Sequence, residues 1–176
     1  MQIRLLSPDD APAFKAFRIA AVMHDPVAFY PTAEELGNMS LEKFAARLDT
    51  NAGEHVFAAF VNDKMVGILG CRHEILSQVQ HKAFIWGVAT KPECRGRGLA
   101  RCLMQAAIAH ARDGGLIQKI TLSVYDQNLP AKALYAGMGF KTWALEENAM
   151  CLNGAMIAEE WMALEIAGVT KLVNSR

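Results

Sequence analysis

The sequence lacks a net charge, a long apolar run and a signal peptide. Its 18 basic residues are balanced by 18 acidic residues, so no global field would draw the protein to nucleic acid or to an anionic membrane. No stretch approaches the 18 or more apolar residues of a membrane span, and the apolar run at the N-terminus is too short for a signal peptide. We therefore expect a cytoplasmic protein with neither nucleic acid nor a membrane as its partner.

Paired-cysteine motifs are also missing. The four cysteines, Cys71, Cys94, Cys102 and Cys151, are widely spaced and include no C-x-x-C motif. This spacing predicts neither a zinc site nor a disulfide framework, and we expect no metal. A reducing compartment and a packing role suit these cysteines, with Cys94 the one that could be reactive.

Two common phosphate-binding signatures are also absent from the sequence. A Walker loop needs Gly-Lys-Ser/Thr after four variable residues, and no such string occurs, so bound ATP–Mg²⁺ is not predicted. A dinucleotide pattern G-x-G-x-x-G that starts at Gly96 and Gly98 reaches Arg101 where the third glycine is needed.

The composition that is present indicates one compact domain. The chain has 176 residues, of which 52% are hydrophobic and 20% are charged, which is enough apolar material for a full core. Periodicity predicts strands at 2–6, 55–61, 65–73, 82–90, 119–124, 140–151 and 157–166. We place the domain at residues 1–168 and a C-terminal tail at residues 169–176.

A basic glycine loop at residues 91–101 is the most informative stretch. It follows a strand predicted to be buried at residues 84–89 and precedes an apolar stripe at helical spacing, namely Leu99, Cys102, Leu103, Ala106, Ala107 and His110. Gly96 and Gly98 let the backbone approach a ligand closely, and a helix N-terminus offers free N–H donors to phosphate oxygens. The loop carries Arg95, Arg97 and Arg101. It predicts a pyrophosphate cradle, and the alternative is a glycine turn with solvated arginines.

Two strings resemble one known family. Residues 95–100 read R-x-x-G-x-A, which resembles the coenzyme A signature Q/R-x-x-G-x-G/A of the GNAT superfamily of N-acetyltransferases. Residues 128–140 resemble the family's later element N-x-x-A-x-x-L-Y-x-x-x-G-F. Both motifs occur in the family's order and at its usual separation, and the resemblance covers residues 2–166.

The resemblance implies the GNAT fold, which is of the α/β (α+β) class. A mixed, mostly antiparallel central sheet of about seven strands would be flanked by about four helices, with a splayed parallel pair at its centre. That pair would be the strands at 82–90 and 119–124, and the pantetheine arm of the cofactor would enter between them. Gly87 inside the first of these strands indicates a bulge or a close approach to the backbone.

The resemblance also implies a function. The protein would transfer an acetyl group from acetyl-CoA, its cosubstrate, to a primary amine of a small molecule or peptide by direct attack in a ternary complex. The N–H of Val88 would stabilise the oxyanion, and Tyr135 would be the general acid unless it only packs. The implied cofactor-binding residues are Val88, Ala89, Thr90, Arg95, Gly96, Arg97, Gly98, Leu99, Ala100, Asn128 and Tyr135. The alternative is a catalytically weak acyl-CoA-binding sensor or scaffold.

The acceptor site and the general base are the least determined parts. In the family the first two helices form a wall of the acceptor site, which implies a substrate role for Phe29 and Tyr30 unless both are packing residues. Some members carry a glutamate where this chain has Ser123. The base stays unassigned among Glu34, Glu35, Glu74, Glu93, His73, His81 and a bound water. A homodimer is left open.

Overall fold

A seven-stranded sheet is the frame of the computed structural model, which describes residues 1–166. The predicted tail therefore lies outside the described residues. The strands are β1 Gln2–Leu5, β2 Glu54–Val61, β3 Lys64–His73, β4 Lys82–Thr90, β5 Lys119–Tyr125, β6 Lys141–Leu152 and β7 Ala155–Glu165. Their order across the sheet is β1-β2-β3-β4-β5-β7-β6, and every neighbouring pair is antiparallel except β4–β5. The predicted fold class is confirmed.

Five α-helices flank the sheet in the described part of the chain, one more than the expected number. They are α1 Ala11–His24, α2 Ala33–Asn38, α3 Leu41–Ala46, α4 Leu99–Asp113 and α5 Leu129–Ala136. The extra helix arises because Thr32 and Ser40 each accept a backbone N–H three residues ahead, so residues 33–46 start two separate helices. No helix within residues 1–166 is both long and apolar enough to cross a membrane.

The sheet buries a hydrophobic cluster on each face. On one face α4 packs Leu103, Met104 and Ala107, all with no exposed surface. On the other face Phe14 of α1 meets Phe44 of α3 edge to face, with ring centroids 5.6 Å apart. The prediction of the buried face of α4 is partly wrong. The helix also buries Met104, Ile108 and Ala111. Three predicted members of the apolar stripe are only half-buried, namely Cys102, Ala106 and His110.

The parallel pair β4–β5 opens after three residue pairs. The pairing runs from Lys82 opposite Lys119 to Phe84 opposite Thr121, and no pair of these strands follows among the described residues. The prediction that residues 84–89 are buried is therefore wrong, since only Ile85 is buried and the others are half-buried beside the opening.

The bulge expected at Gly87 is confirmed. Its φ is +62°, a left-handed conformation, and the β3–β4 register shifts between Ile68 and Gly70. A Cβ on Gly87 would clash with Nη1 of Arg18. Arg18 is 4% exposed, and its guanidinium lies 5.3 Å from the ring centroids of both Phe29 and Trp86. The close approach indicated at Gly87 is therefore made by this buried arginine.

We expect Gly87→Ala to lower the free energy of unfolding by about 1–3 kcal/mol, because it adds left-handed strain and a clash with Arg18. The measurement is urea denaturation of the purified protein. Gly37→Ala is the matched control, since Gly37 lies in α2 at negative φ and a Cβ there meets nothing within 4 Å. Equal stability of the two variants would contradict the packing described for Arg18.

Candidate active site

The glycine loop presents the start of α4 to open space. Gly96 and Gly98 have φ values of +72° and +76°, and a Cβ on either would meet nothing within 4 Å. The N–H of Cys102 donates to the carbonyl of Gly98 at 3.0 Å and starts the helical ladder. The N–H groups of residues 99–101 precede that ladder, so they remain available to a ligand. The positive end of the helix dipole lies at the same place.

A cleft of about 750 Å³ opens in front of this helix end. Its size lies in the range of sites that hold cofactor-sized molecules. It is lined by nearly all the predicted site residues, namely Val88, Ala89, Thr90, Arg95, Gly96, Gly98, Leu99, Ala100, Asn128, Tyr135 and Phe29. The fold thus brings the two sequence motifs and the end of β4 to one cavity. Arg97 and Tyr30 are not part of this lining.

Helix α1, expected to form a wall of the acceptor site, lines the cleft with residues that the sequence reasoning did not name. Its contribution is mostly methyl groups, from Ala13, Ala16, Ala20 and Ala21. Alanines three and four positions apart were the available signal, since they share one helix face. At the end of this wall, Asp25 Oδ2 lies 3.9 Å from Arg95 Nη2, and both side chains are exposed enough that this ion pair contributes little stability.

The later motif builds the opposite wall through α5. Asn128 Oδ1 accepts the N–H of Ala131 at 3.2 Å, which caps the helix and leaves its amide nitrogen free to donate. Tyr135 is 6% exposed and lies on the cleft wall with Ala131. Burial raises the pKa of Tyr135 to about 12, so its hydroxyl is protonated at neutral pH.

A second group of polar residues lies at the open end of the β4–β5 pair. Tyr30 donates its hydroxyl to Glu159 Oε2 at 2.6 Å, and Glu159 is only 7% exposed although it is a carboxylate. Burial and the neighbouring Glu159 charge raise the pKa of Tyr30 to about 12, and the nearby Ser123 hydroxyl opposes that rise. Sequence reasoning found Tyr30 but missed Glu159, because nothing local distinguishes it from a solvated strand glutamate.

The strand register locates Glu159 relative to β4. The parallel pairing starts with Lys82 opposite Lys119, and the bulge at Gly87 adds one residue to β4. Continued past the last pair, this register brings Val88 and Ala89 near the level of Val124 and Tyr125. Tyr125 in turn pairs with Glu159 on β7. Ser123 pairs with Trp161 on the same face, two residues from Glu159. The buried carboxylate therefore lies near the level of Val88, on the strand that follows β5 in the sheet.

Aromatic rings and carboxylates lie on the same face of the sheet as Glu159. Trp161 lies between Phe84 and Trp143, with ring centroids at 5.9 and 6.2 Å. Its Nε1 donates to Glu146 Oε2 at 2.8 Å. Trp86 Nε1 donates to Glu54 Oε2 at 3.1 Å on the same side of the sheet. We call this aromatic and acidic group, Tyr30, Phe84, Trp86, Trp161, Glu54, Glu146 and Glu159, the acceptor face.

The base candidates taken from sequence lie elsewhere. Glu35 is tied to Thr32 in the capping box of α2, and Glu74 approaches Arg72 Nη2 at 3.5 Å on the surface. His73 packs against His55 and His110. Within the described residues, none of Glu34, Glu35, Glu74, Glu93, His73 and His81 lines the cleft.

Two relatives of this chain are named as acetyltransferases. The chain is 32% identical over 114 residues to mycothiol acetyltransferase from Segniliparus rotundus, covering 62% of this chain and 43% of that protein. It is 33% identical over 90 residues to L-2,4-diaminobutyric acid acetyltransferase from Wolinella succinogenes, covering 46% of this chain and 51% of that protein. The chain thus spans about half the length of these relatives.

Solved structures share the whole fold. An acetyltransferase of the GNAT family from Streptococcus pneumoniae superposes with a TM-score of 0.83 at 22% identity, covering 94% of this chain and 98% of that one. The structure of YncA from Salmonella typhimurium includes its cofactor acetyl-CoA. It superposes on this chain with a TM-score of 0.81 at 21% identity, covering 97% of this chain and 96% of that one. A profile of the Acetyltransferase (GNAT) family matches residues 19–140. With well over half of its length matched, the chain belongs to the GNAT family.

Proposed function

We propose that the protein transfers an acetyl group from acetyl-CoA to a primary amine. The observation that carries this proposal is the cleft in which the start of α4 meets the open end of the β4–β5 pair. The pyrophosphate would lie on the loop at residues 95–100 against the free N–H groups of α4. The pantetheine arm would run along Val88–Thr90, where β4 has no partner in β5.

The transfer needs an oxyanion donor and a proton for the leaving thiolate. The amine nitrogen attacks the thioester carbon, and the N–H of Val88 donates to the oxyanion that forms. The C–S bond then breaks, and the thiolate takes the proton of the Tyr135 hydroxyl. Tyr135 suits this role because it lies on the cleft wall and its hydroxyl is protonated at neutral pH. Solvent returns a proton to the tyrosine afterwards.

Glu159 is the general base in this proposal. The attacking amine must lose a proton, and a carboxylate near the level of Val88 can accept it directly or through a water. Ser123 stands on the adjacent strand at the position where the family resemblance implies a glutamate in some members, and Glu159 would supply the same group from β7. The hydrogen bond from Tyr30 holds the carboxylate in place and leaves its other oxygen free.

The acceptor face favours a cationic amine. Aromatic rings attract a positive charge over their faces, and carboxylates attract it further. Hydrogen bonds hold Glu159 and Glu146, and Glu146 accepts from the Trp161 ring. The rings of Phe84 and Trp86 already have Arg72 and Arg18 over them, so Trp161 and these two carboxylates are the groups left for a substrate cation. We therefore propose an acceptor that carries a second positive charge near the reacting amine, which includes diamines and basic peptides.

We expect acetyl-CoA to raise the Tm of the protein, and ATP at the same concentration to raise it much less. Gly98→Asp should remove the acetyl-CoA shift, because it puts bulk and negative charge where the pyrophosphate would lie. Gly115→Asp is the matched control at the other end of α4, since Gly115 also has a positive φ, of +70°, and equally open surroundings. An equal shift with ATP, or an unchanged shift in Gly98→Asp, would contradict the cofactor site.

Tyr135→Phe should lower turnover by roughly 10²–10⁴-fold and leave acetyl-CoA affinity nearly intact, because only the proton donor is removed. Turnover is measured as thiol release from acetyl-CoA across a panel of diamines, amino acids and basic peptides. Direct titration with acetyl-CoA shows whether the variant still binds the cofactor. A loss of turnover below about threefold would show that Tyr135 is a packing residue. If the wild-type protein acetylates none of the amines, the result would favour the acyl-CoA-binding sensor.

Glu159→Gln should lower turnover by roughly 10²-fold or more, because the amide keeps a hydrogen-bond acceptor for Tyr30 and cannot take a proton. Glu160→Gln is the control on the opposite face of β7, where Glu160 bonds Lys132 and Thr142. Turnover of Glu159→Gln within about threefold of the wild-type value would contradict this assignment.

A further inference from the structure

Three histidines from distant parts of the chain meet at the other end of α4. His55 lies near the start of β2, His73 ends β3, and His110 lies in the last turns of α4. Their ring centroids are 4.4 Å apart for His55–His73, 4.6 Å for His55–His110 and 5.8 Å for His73–His110. One ring nitrogen from each lies within 4.8 Å of the others. We call this group the histidine triad.

Helix geometry separates the histidine triad from the cleft. Leu99 starts α4 at the cleft, and His110 follows eleven residues later. At 1.5 Å per residue the two positions are about 17 Å apart along the helix axis. None of the three histidines lines the cleft, so the acetyl transfer does not explain why they converge.

The ring nitrogens of the triad are available as ligands. Nε2 of His73 is buried and has no hydrogen-bond partner within residues 1–166. Nδ1 of His55 lies 3.2 Å from the carbonyl oxygen of Gly53. A carbonyl only accepts, so this nitrogen carries the hydrogen and Nε2 keeps its lone pair. A ring held by its second nitrogen in this way is typical of metal-bound histidine.

The buried Nε2 of His73 is the atom of the triad that most needs a partner. A buried nitrogen without a partner costs free energy, and a bound cation would remove that cost.

The residues around the triad add no fourth protein ligand within residues 1–166 and leave one side of the three nitrogens accessible to solvent. The Phe57 ring packs on His110 at 5.6 Å from below. Cys71 lies beside the triad on β3 but is not part of the group whose ligand atoms lie within 4.8 Å of one another. The three histidines are half-buried and keep some exposed surface, through which a water would reach the ion. Three histidines and a water form a tetrahedral set that suits zinc.

We propose that His55, His73 and His110 form a binding site for a divalent transition metal ion, with Zn²⁺ as the best match and water as its fourth ligand. The ion would join the end of α4 to the paired ends of β2 and β3. It would act by stabilising this end of the domain, away from the transfer chemistry. The proposal does not depend on the acetyltransferase assignment.

The test uses the full chain, stripped of metal by a chelator and free of any polyhistidine tag. Titration with Zn²⁺ in a calorimeter should give one saturable site with micromolar or tighter affinity, and Zn²⁺ should raise the Tm. Co²⁺ should give the intense visible absorption of a tetrahedral complex. His110→Gln should weaken Zn²⁺ affinity by roughly 100-fold, because it removes one of three protein ligands.

His81→Gln is the matched control, since His81 lies outside the triad and its loss should leave Zn²⁺ affinity unchanged. His55→Gln provides a second triad variant, and the metal-free Tm of each variant shows whether it folds. Absence of saturable binding in the wild-type protein would overturn the proposal and leave the triad as packed rings. Binding that survives in both folded triad variants, or that is lost equally in His81→Gln, would overturn it too.

Discussion

The interrupted pairing between β4 and β5 is the constraint on which the rest of the structure depends. Two parallel strands that separate after three residue pairs leave main-chain donors and acceptors facing each other across a gap. β5 remains fully paired with β7 on its other side, and β4 stays paired with β3 on both sides of the Gly87 bulge. The sheet therefore holds together around a local vacancy, and a ligand arm that carries amide groups can occupy the place of the missing pairing.

The opening also lies between two different polar environments. On one side are the amide groups that start α4 and the wall of α5, which suit an anion. On the other side are rings and carboxylates, which suit a cation. Under the proposed function, the cofactor and the amine would approach from these two sides and meet near Val88.

Local signals in the sequence predicted most of the fold and most of the residues that line the cleft. The strands predicted on either side of residues 62–63 and of residues 153–154 are present, and the turns between them have positive φ at all four positions. Glu159 and the histidine triad escaped prediction because their surroundings are made by strand neighbours remote in the chain. The expectation of no metal rested on cysteine spacing, which says nothing about histidines that the topology brings together.

The alanine wall of α1 has a thermodynamic consequence. A methyl side chain has no rotamers, so this side of the cleft loses no side-chain conformational entropy when a ligand covers it. Its shape is set by the helix backbone, which Phe14 and the buried Arg18 hold against the rest of the domain. The wall is thus already in its bound form before the cofactor arrives, and more of the contact energy is available for binding.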